Sequence, residues 1–393
     1  MKRLKNLFVA LALCAPLLTA AAQDIEINAE NFPDENFRNY LLAQSYGEDE
    51  VLTEAEIKEI TEIDVSSGGV SSLKGIEHFT ALRELSCYDN QLTTLDVSKN
   101  TALTSLHCAS TQLTTLDVSN NTALRELYCY DNQLTTLDVS KNTALTFLWC
   151  YSNQLTTLDV SNNTALTSLF CFSNQLTTLD VSNNTALREL YCYNNQLTTL
   201  DVSNNTALRE LYCFSNQLTT LDVSNNTALR ELYCFSNQLT TLDVSNNTAL
   251  TSLYCFDNQL TDLDVSKNTA LTSLYCGINQ IKGESMDALI SSLPETTRGV
   301  LYVYDEVSSN EGNVITKSQV AAAKAKGWTS FSTTNGWQFS IYEGIDDDAV
   351  GVTQPEIEAG NGTAAVYNLQ GQKVNVPQKG GIYVVDGKKV VVK

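Results

Sequence analysis

The sequence predicts a solenoid of 21-residue coils, with a parallel β-sheet on its concave face and short strand or 3-10 segments on its convex face. Three observations carry this prediction. The motif LTxLDVSxNTALxxLxCxxxQ runs nine times without a gap from Leu92 to Gln280, and copies 197–217 and 218–238 are identical. Within each copy Leu124, Leu127 and Cys129, or their equivalents, end in an alternating stretch, the period of a strand with one buried face. An asparagine follows where the chain must turn, as at Asn132. With a degenerate lead-in copy at 71–91, ten coils stacked about 4.8 Å apart would make a flat, weakly curved body roughly 50 Å long.

The spacing Leu124-x-x-Leu127-x-Cys129-x-x-Asn132-x-Leu134 is that of a leucine-rich repeat. A 21-residue coil has no room for a helix on its back. Its second half also alternates, with Leu134, Leu137 and Val139 inward and Asp138 outward. Asn90, Asn132, Asn153, Asn174, Asn195, Asn216, Asn237, Asn258 and Asn279 form a ladder interrupted at Thr111. Each side chain is expected to bond the backbone of its turn and of the next coil.

Composition excludes several functions. The chain has 24 Lys+Arg against 45 Asp+Glu, a net charge of −21, so it offers no basic surface for nucleic acid. With 43% hydrophobic residues it can bury a core. His78 and His107 are the only histidines, too few for a histidine-built metal or catalytic site. No GxSxG, HExxH or phosphate loop occurs, so no enzyme, cofactor or metal is expected.

Residues 1–22 (MKRLKNLFVALALCAPLLTAAA) read as a cleaved secretory signal: a basic start at Lys2, Arg3 and Lys5, an apolar run, then Ala20-Ala21-Ala22. Lipidation at Cys14 is the alternative, weakened by Leu13, where a small residue is wanted. Cleavage leaves 21 basic and 45 acidic residues, a net charge of −24. The protein is thus expected outside the cytoplasm, secreted or on the outer cell surface, with no transmembrane segment.

Ten cysteines, Cys87 to Cys276, recur every 21 residues. Stacked strands hold their Cβ atoms about 4.8 Å apart on parallel vectors, whereas a disulfide needs about 3.8 Å and converging ones. The favoured reading is a buried ladder of free thiols, with five vertical disulfides as the alternative. The coil length and this ladder resemble the internalin-type leucine-rich-repeat proteins of the internalin J kind. Similar LDVSxNTAL and LxCxxNQL arrays occur in surface proteins of Bacteroidetes. The resemblance implies a non-enzymatic protein of adhesion or protein–protein interaction.

Both ends of a solenoid need caps. Residues 23–62 predict a helical N-terminal cap. Phe37, Tyr40 and Leu41 mark one helix face, and Thr53-x-x-Glu56 is a capping box opening a second helix. The pair resembles the EF-hand-like cap of internalins. In that register, however, Ser45, Gly47 and Glu50 stand where two acidic ligands and a glycine are required, so a structural role is favoured over calcium. Residues 63–280 are assigned to the solenoid and 281–343 to a C-terminal cap. That cap should hold an amphipathic 284–293, a strand at 299–305, a helix at 318–328, and a core finished by Trp328, Phe331 and Trp337. Residues 344–393 read as a linker and a small β tail with a hairpin at Asp386-Gly387. The tail, with YNLQGQKV, GGIYVV and a basic end, resembles the sorting domain of the type IX secretion route of Bacteroidetes; a retained β-module is the alternative.

The candidate binding residues flank the inward cysteine, so alternation turns them outward. One column contains Tyr128, Trp149, Phe170, Tyr191, Tyr212, Tyr233 and Tyr254. The other contains Tyr130, Tyr151, Phe172, Tyr193, Phe214, Phe235 and Phe256. With Tyr88 and Tyr275 they make 16 of the chain's 32 aromatics (17 Tyr, 12 Phe, 3 Trp), more exposed ring than a monomer tolerates without use. The partner is an unknown extracellular protein or a glycan; a structural ladder, self-association and a spacer with no specific ligand are the competing readings, and a monomer is expected. Arg125, Arg188, Arg209 and Arg230 beside Glu126, Glu189, Glu210 and Glu231 read as a solvated rim. On the convex side, the repulsion of the Asp96 to Asp264 column calls for hydrogen bonds from nearby Ser and Thr, or for cations.

Overall fold

The computed structural model describes residues 24–333 and 339–347 together with three strands of the tail. The expectations for residues 1–22, including Cys14, and for Trp337 fall outside the described residues. The chain opens with β1 (Ile25–Glu26), α1 (Glu35–Leu42), β2 (Val51–Leu52), α2 (Glu54–Glu59) and β3 (Glu62–Asp64). Ten coils follow, each giving one three-residue strand, from β4 (Glu84–Ser86) to β13 (Ser273–Tyr275). Then come α3 (Glu284–Ser292), β14 (Gly299–Asp305), α4 (Lys317–Ala325), β15 (Trp328–Thr333) and β16 (Phe339–Ile341).

Strands β3 to β16 form one fourteen-stranded sheet in sequence order, parallel as far as β15 and closed by the antiparallel β16. From coil to coil the register advances by one repeat, so Leu127 faces Leu148 and Tyr128 faces Trp149. Every position therefore stacks on its own kind. Leucine, valine and cysteine columns build one continuous core. All ten cysteines are buried and free, so the vertical disulfides do not form. Burial drives the thiols up, to about 12 for Cys108, Cys150 and Cys234.

A three-residue strand satisfies few of a coil's backbone groups; buried asparagines satisfy others. Asn132 Nδ2 donates to Cys108 O of the preceding coil at 2.9 Å and to Cys129 O at 3.2 Å, while its Oδ1 accepts the Leu113 N–H at 2.9 Å. The ladder thus reaches back to the preceding coil rather than on to the next. Where it is interrupted, the Thr111 hydroxyl donates to Asn132 Oδ1 at 2.6 Å. A second ladder, Asn100 to Asn268, is wholly buried. Asn205 Nδ2 donates to Val181 O and Asn184 O, both at 2.9 Å. The residue before each turn asparagine is left-handed, φ 50–55°, and is Asp, Ser or Asn except at Ile278.

The convex side differs from expectation. Its segments are extended stretches and turns, with no 3-10 segment in the coils from Leu92 onward and one isolated bridge, Asp96–Asp117. Two successive four-residue turns explain this: Asn100 N–H donates to Val97 O, and Leu103 N–H to Asn100 O. Separated bonds of this kind bend the chain without winding a helix.

The N-terminal helices cover the first coil. Phe37 and Leu41 of α1 are buried, and Thr53 and Glu56 form the expected capping box of α2. Asp34 joins cap to solenoid. One oxygen accepts the Phe37 N–H at the start of α1; the other accepts the Ser71 N–H and hydroxyl at 2.8 and 2.7 Å. At the far end α4 stops at Ala325, short of the expected 328. Gly327 has φ 86°, and a Cβ there would lie 1.6 Å from Thr296 O. Trp328 instead begins β15, buried, with Nε1 donating to Pro294 O at 2.7 Å; Phe331 is half-buried. In the tail, β17 (Val366–Tyr367), β18 (Ile382–Val385) and β19 (Lys388–Val391) form an antiparallel sheet. Val385 lies opposite Lys388; the expected turn at Asp386-Gly387 falls outside the described residues.

The ten core thiols are expected to be inert to Ellman's reagent in the folded protein and to react together in guanidinium; native reactivity of several would contradict the buried ladder. Burial acts to raise the Asp34 pKa, but its hydrogen bonds prevail and lower it. Its stabilisation is therefore full above the unfolded value of about 3.9 and is lost as pH falls through the depressed folded value. Asp34→Ala should cost about 1–3 kcal/mol at neutral pH, read from urea midpoints, and the difference should shrink in acid.

Candidate ligand-binding face

Alternation builds this face. Leu127 and Cys129 point into the core, so Glu126, Tyr128 and Tyr130 point to the concave side. The same holds in every coil, and all fourteen candidate residues lie in the two expected columns. The exposure differs from expectation: they are half-buried, and Tyr88 at 38% is the one ring of the two columns that counts as exposed. Their neighbours cover them. From Tyr130 to Phe256 the centroids are 4.1–4.4 Å apart and the planes within 8–12°. From Phe170 to Tyr233 they are 4.1–4.2 Å apart and within 2–4°. These distances are below the inter-strand spacing of about 4.8 Å, as suits the inner side of a curve. The rings therefore hide their faces in one another and present their edges.

Glutamates brace the stack. Tyr212 donates its hydroxyl to Glu231 Oε2 of the next coil at 2.5 Å, and Tyr191 donates likewise to Glu210. Burial, then this hydrogen bond, raises both phenol pKa values. Where Ser252 and Ser273 stand in place of the glutamate the rung is absent; the Tyr233–Tyr254 planes lie 30° apart, while Tyr254–Tyr275 stay within 9°. The Arg–Glu rim is solvated, with Arg125, Arg188, Arg209 and Arg230 exposed. Ion pairs among the described residues are Lys58–Glu54 and Lys317–Asp346. Adjacent Arg and Glu residues diverge, which commits the glutamates to the ring face.

The second ring column is plugged at both ends. Ala109 leaves a rung empty, and His107 leans in, stacked 4.5 Å from Tyr88 with Nε2 3.3 Å from the Tyr130 hydroxyl. Burial lowers the His107 pKa. At the other end Gly277 leaves its rung to Tyr302, whose ring would lie 2.7 Å from a Cβ on residue 277. Between these ends the rings from Tyr191 to Tyr275, with Tyr302 and Phe339, line a groove of about 640 Å³.

The convex Asp column is held in its charged form by internal hydrogen bonds. Asp138 Oδ1 accepts the Ser140 N–H at 2.9 Å, and the pattern repeats from Asp96 to Asp264. These bonds with Ser140 hold the Asp138 carboxyl below its ordinary range. No cluster of metal-ligating side chains occurs among the described residues. The buried Asn100–Asn268 ladder, the Tyr–Glu rungs and the two plugs were missed from sequence. The first had a signal, an asparagine recurring in register between Val and Leu; the others depend on which coils carry Glu, Ala or Gly.

Comparison with known proteins places the fold. Residues 122–163 match the family Leucine Rich repeats (2 copies). The solved functional domain of InlJ from Listeria monocytogenes, which includes a cysteine ladder, is 39% identical with a TM-score of 0.66 over 72% of this chain. The fold is an internalin J-like leucine-rich-repeat solenoid with a cysteine ladder. The internalin inlF of the same organism is 25% identical, with a TM-score of 0.64 over 81% of this chain and 100% of its own. The chain spans 62% of the solved InlJ domain, and its 44%-identical match to curated Internalin J covers 70 residues, 8% of that protein. No helix among the described residues is long and apolar enough to cross a membrane.

Gly277→Ala should force Tyr302 off its rung. The expected cost is about 1–3 kcal/mol, read as a lower urea midpoint. An unchanged midpoint would mean that Tyr302 does not close the column.

Proposed function

We propose that this protein is a secreted or cell-surface, adhesin-like module that binds another protein through its concave ring face. In this reading residues 1–22 are a leader, 23–62 and 281–343 cap the solenoid of 63–280, and 344–393 are a linker and a tail for sorting by the type IX route. The binding residues are the fourteen rings of the two columns, centred on Tyr191, Tyr193, Tyr212, Phe214, Tyr233 and Phe235. The protein has no catalytic role.

The observation that carries the reading is the edge-on presentation of the rings. A sugar packs its apolar side flat on an open aromatic face, and a cation also prefers the face. Here both faces of the central rings are taken by neighbours at 4.1–4.2 Å. What remains outward is a continuous apolar band of edges and hydroxyls, suited to aliphatic and aromatic side chains of a protein. This favours a protein over a glycan. A spacer would need neither the groove nor its plugged ends.

The test is binding of the full chain to arrays of host proteins, bacterial surfaces and glycans, beside a variant carrying Ser at the six central rings. A protein hit lost in the folded variant is expected. A hit that survives would move the site off this face, and a hit confined to glycans would reverse the choice of partner.

A further inference from the structure

The concave groove ends blind. At its C-terminal end Tyr302 of β14 stands perpendicular to Phe256, at 6.1 Å between centroids. Phe339 of β16 stands perpendicular to both Tyr275 and Tyr302, at 6.1 and 5.8 Å. The lining of the groove is aromatic apart from Ile278, Thr333 and one charged group, Asp305.

Asp305 is a prepared carboxylate. It accepts the Tyr302 hydroxyl at 2.8 Å, the Val307 and Ser308 N–H groups at 2.8 and 2.7 Å, and the Thr333 hydroxyl. Burial acts to raise its pKa, yet the bonds from Thr333, Tyr302 and the two N–H groups prevail and keep it ionised. Its surroundings add negative charge. The charged groups that reach the neighbouring Tyr304 are Glu311, Glu306 and Asp305, all carboxylates. The two ion pairs among the described residues, Lys58–Glu54 and Lys317–Asp346, involve none of them. The whole chain carries −21.

We infer that this blind end receives an extended polypeptide segment of the partner, in which large apolar side chains lead to a lysine or arginine that meets Asp305. The inference rests on the concave-face reading and names the partner's chemistry. The apolar side chains pack against ring edges; the cation meets an ionised carboxylate that forms no ion pair among the described residues, in a largely aromatic groove that strengthens the attraction. A groove of about 640 Å³ holds a few such side chains.

A random-peptide phage library panned on the full chain tests this. The expected selection is peptides with a basic residue beside two or more aromatic or large aliphatic ones. A selected peptide, made synthetically and measured by fluorescence anisotropy, should lose about tenfold in affinity against Asp305→Asn, about 1.4 kcal/mol. The same peptide with glutamine for its basic residue should lose a similar factor against the unaltered protein, a control independent of how the variant folds. No enrichment, a consensus without a basic residue, or affinity indifferent to the glutamine replacement would overturn the inference. Indifference to charge combined with loss in the six-ring variant would overturn it while sparing the concave-face reading. Binding that survives the loss of the six rings would overturn both.

Discussion

The structure depends on one constraint: each coil must satisfy much of its backbone through the coil before it. Only three residues per coil are in a strand, and the back is made of turns and extended stretches. An unpaired buried carbonyl or N–H costs about 1–3 kcal/mol, and a solenoid would multiply that by its coils. Two buried asparagine ladders reduce it, one beside the cysteines and one behind Val and Leu, the second through its Nδ2 groups alone, because its own Oδ1 atoms are buried without a partner. Both reach backward by a fixed offset, so they pin the register as well as satisfying the backbone. A slip by one residue would turn every core leucine outward.

Pinned register explains the ring face. Like stacks on like, so an outward tyrosine becomes a column of tyrosines drawn together at little more than van der Waals spacing. The stack serves two ends. It stabilises the sheet through neighbour contacts, and it converts many polarisable faces into a band of edges. The structural role and the proposed binding role are therefore not rivals: the stack that holds the rings is what decides which chemistry they can offer.

The sequence was legible wherever the repeat spoke. Coil length, the inward Leu–Cys alternation, the free thiols, the first asparagine ladder and both ring columns follow from a motif recurring in register. What it hid lies in relations between coils. The direction of the asparagine bonds, back rather than forward, cannot be seen within one copy. Nor can the divergence of Arg188 from Glu189, which leaves the arginine solvated and gives the glutamates of neighbouring coils to Tyr–Glu rungs. The convex 3-10 segment forms in the lead-in coil, at Ile76–His78, and not in the coils after it, because there two separated turns bend the chain as well as a helix would. The expected helix runs past α4 because it takes in the stop signal at Gly327, left-handed directly after the C-cap Lys326 and pressed against Thr296.

The two long faces of the coil then divide the work of charge. Carboxylates about 4.8 Å apart repel by roughly 0.9 kcal/mol per pair even in water. Along the back, each aspartate answers this with a serine N–H two residues on, as at Asp180 and Ser182, and needs no cation. The back is thus hydrated, negative and unsuited to an apolar partner. On the concave side the glutamates are drawn into the ring stack by phenol hydroxyls, and Asp305 alone brings charge to the groove's lining. Apolar surface is concentrated on one side of the solenoid and polarised toward one end of it, which gives an otherwise repetitive platform a direction along which a bound chain can be aligned.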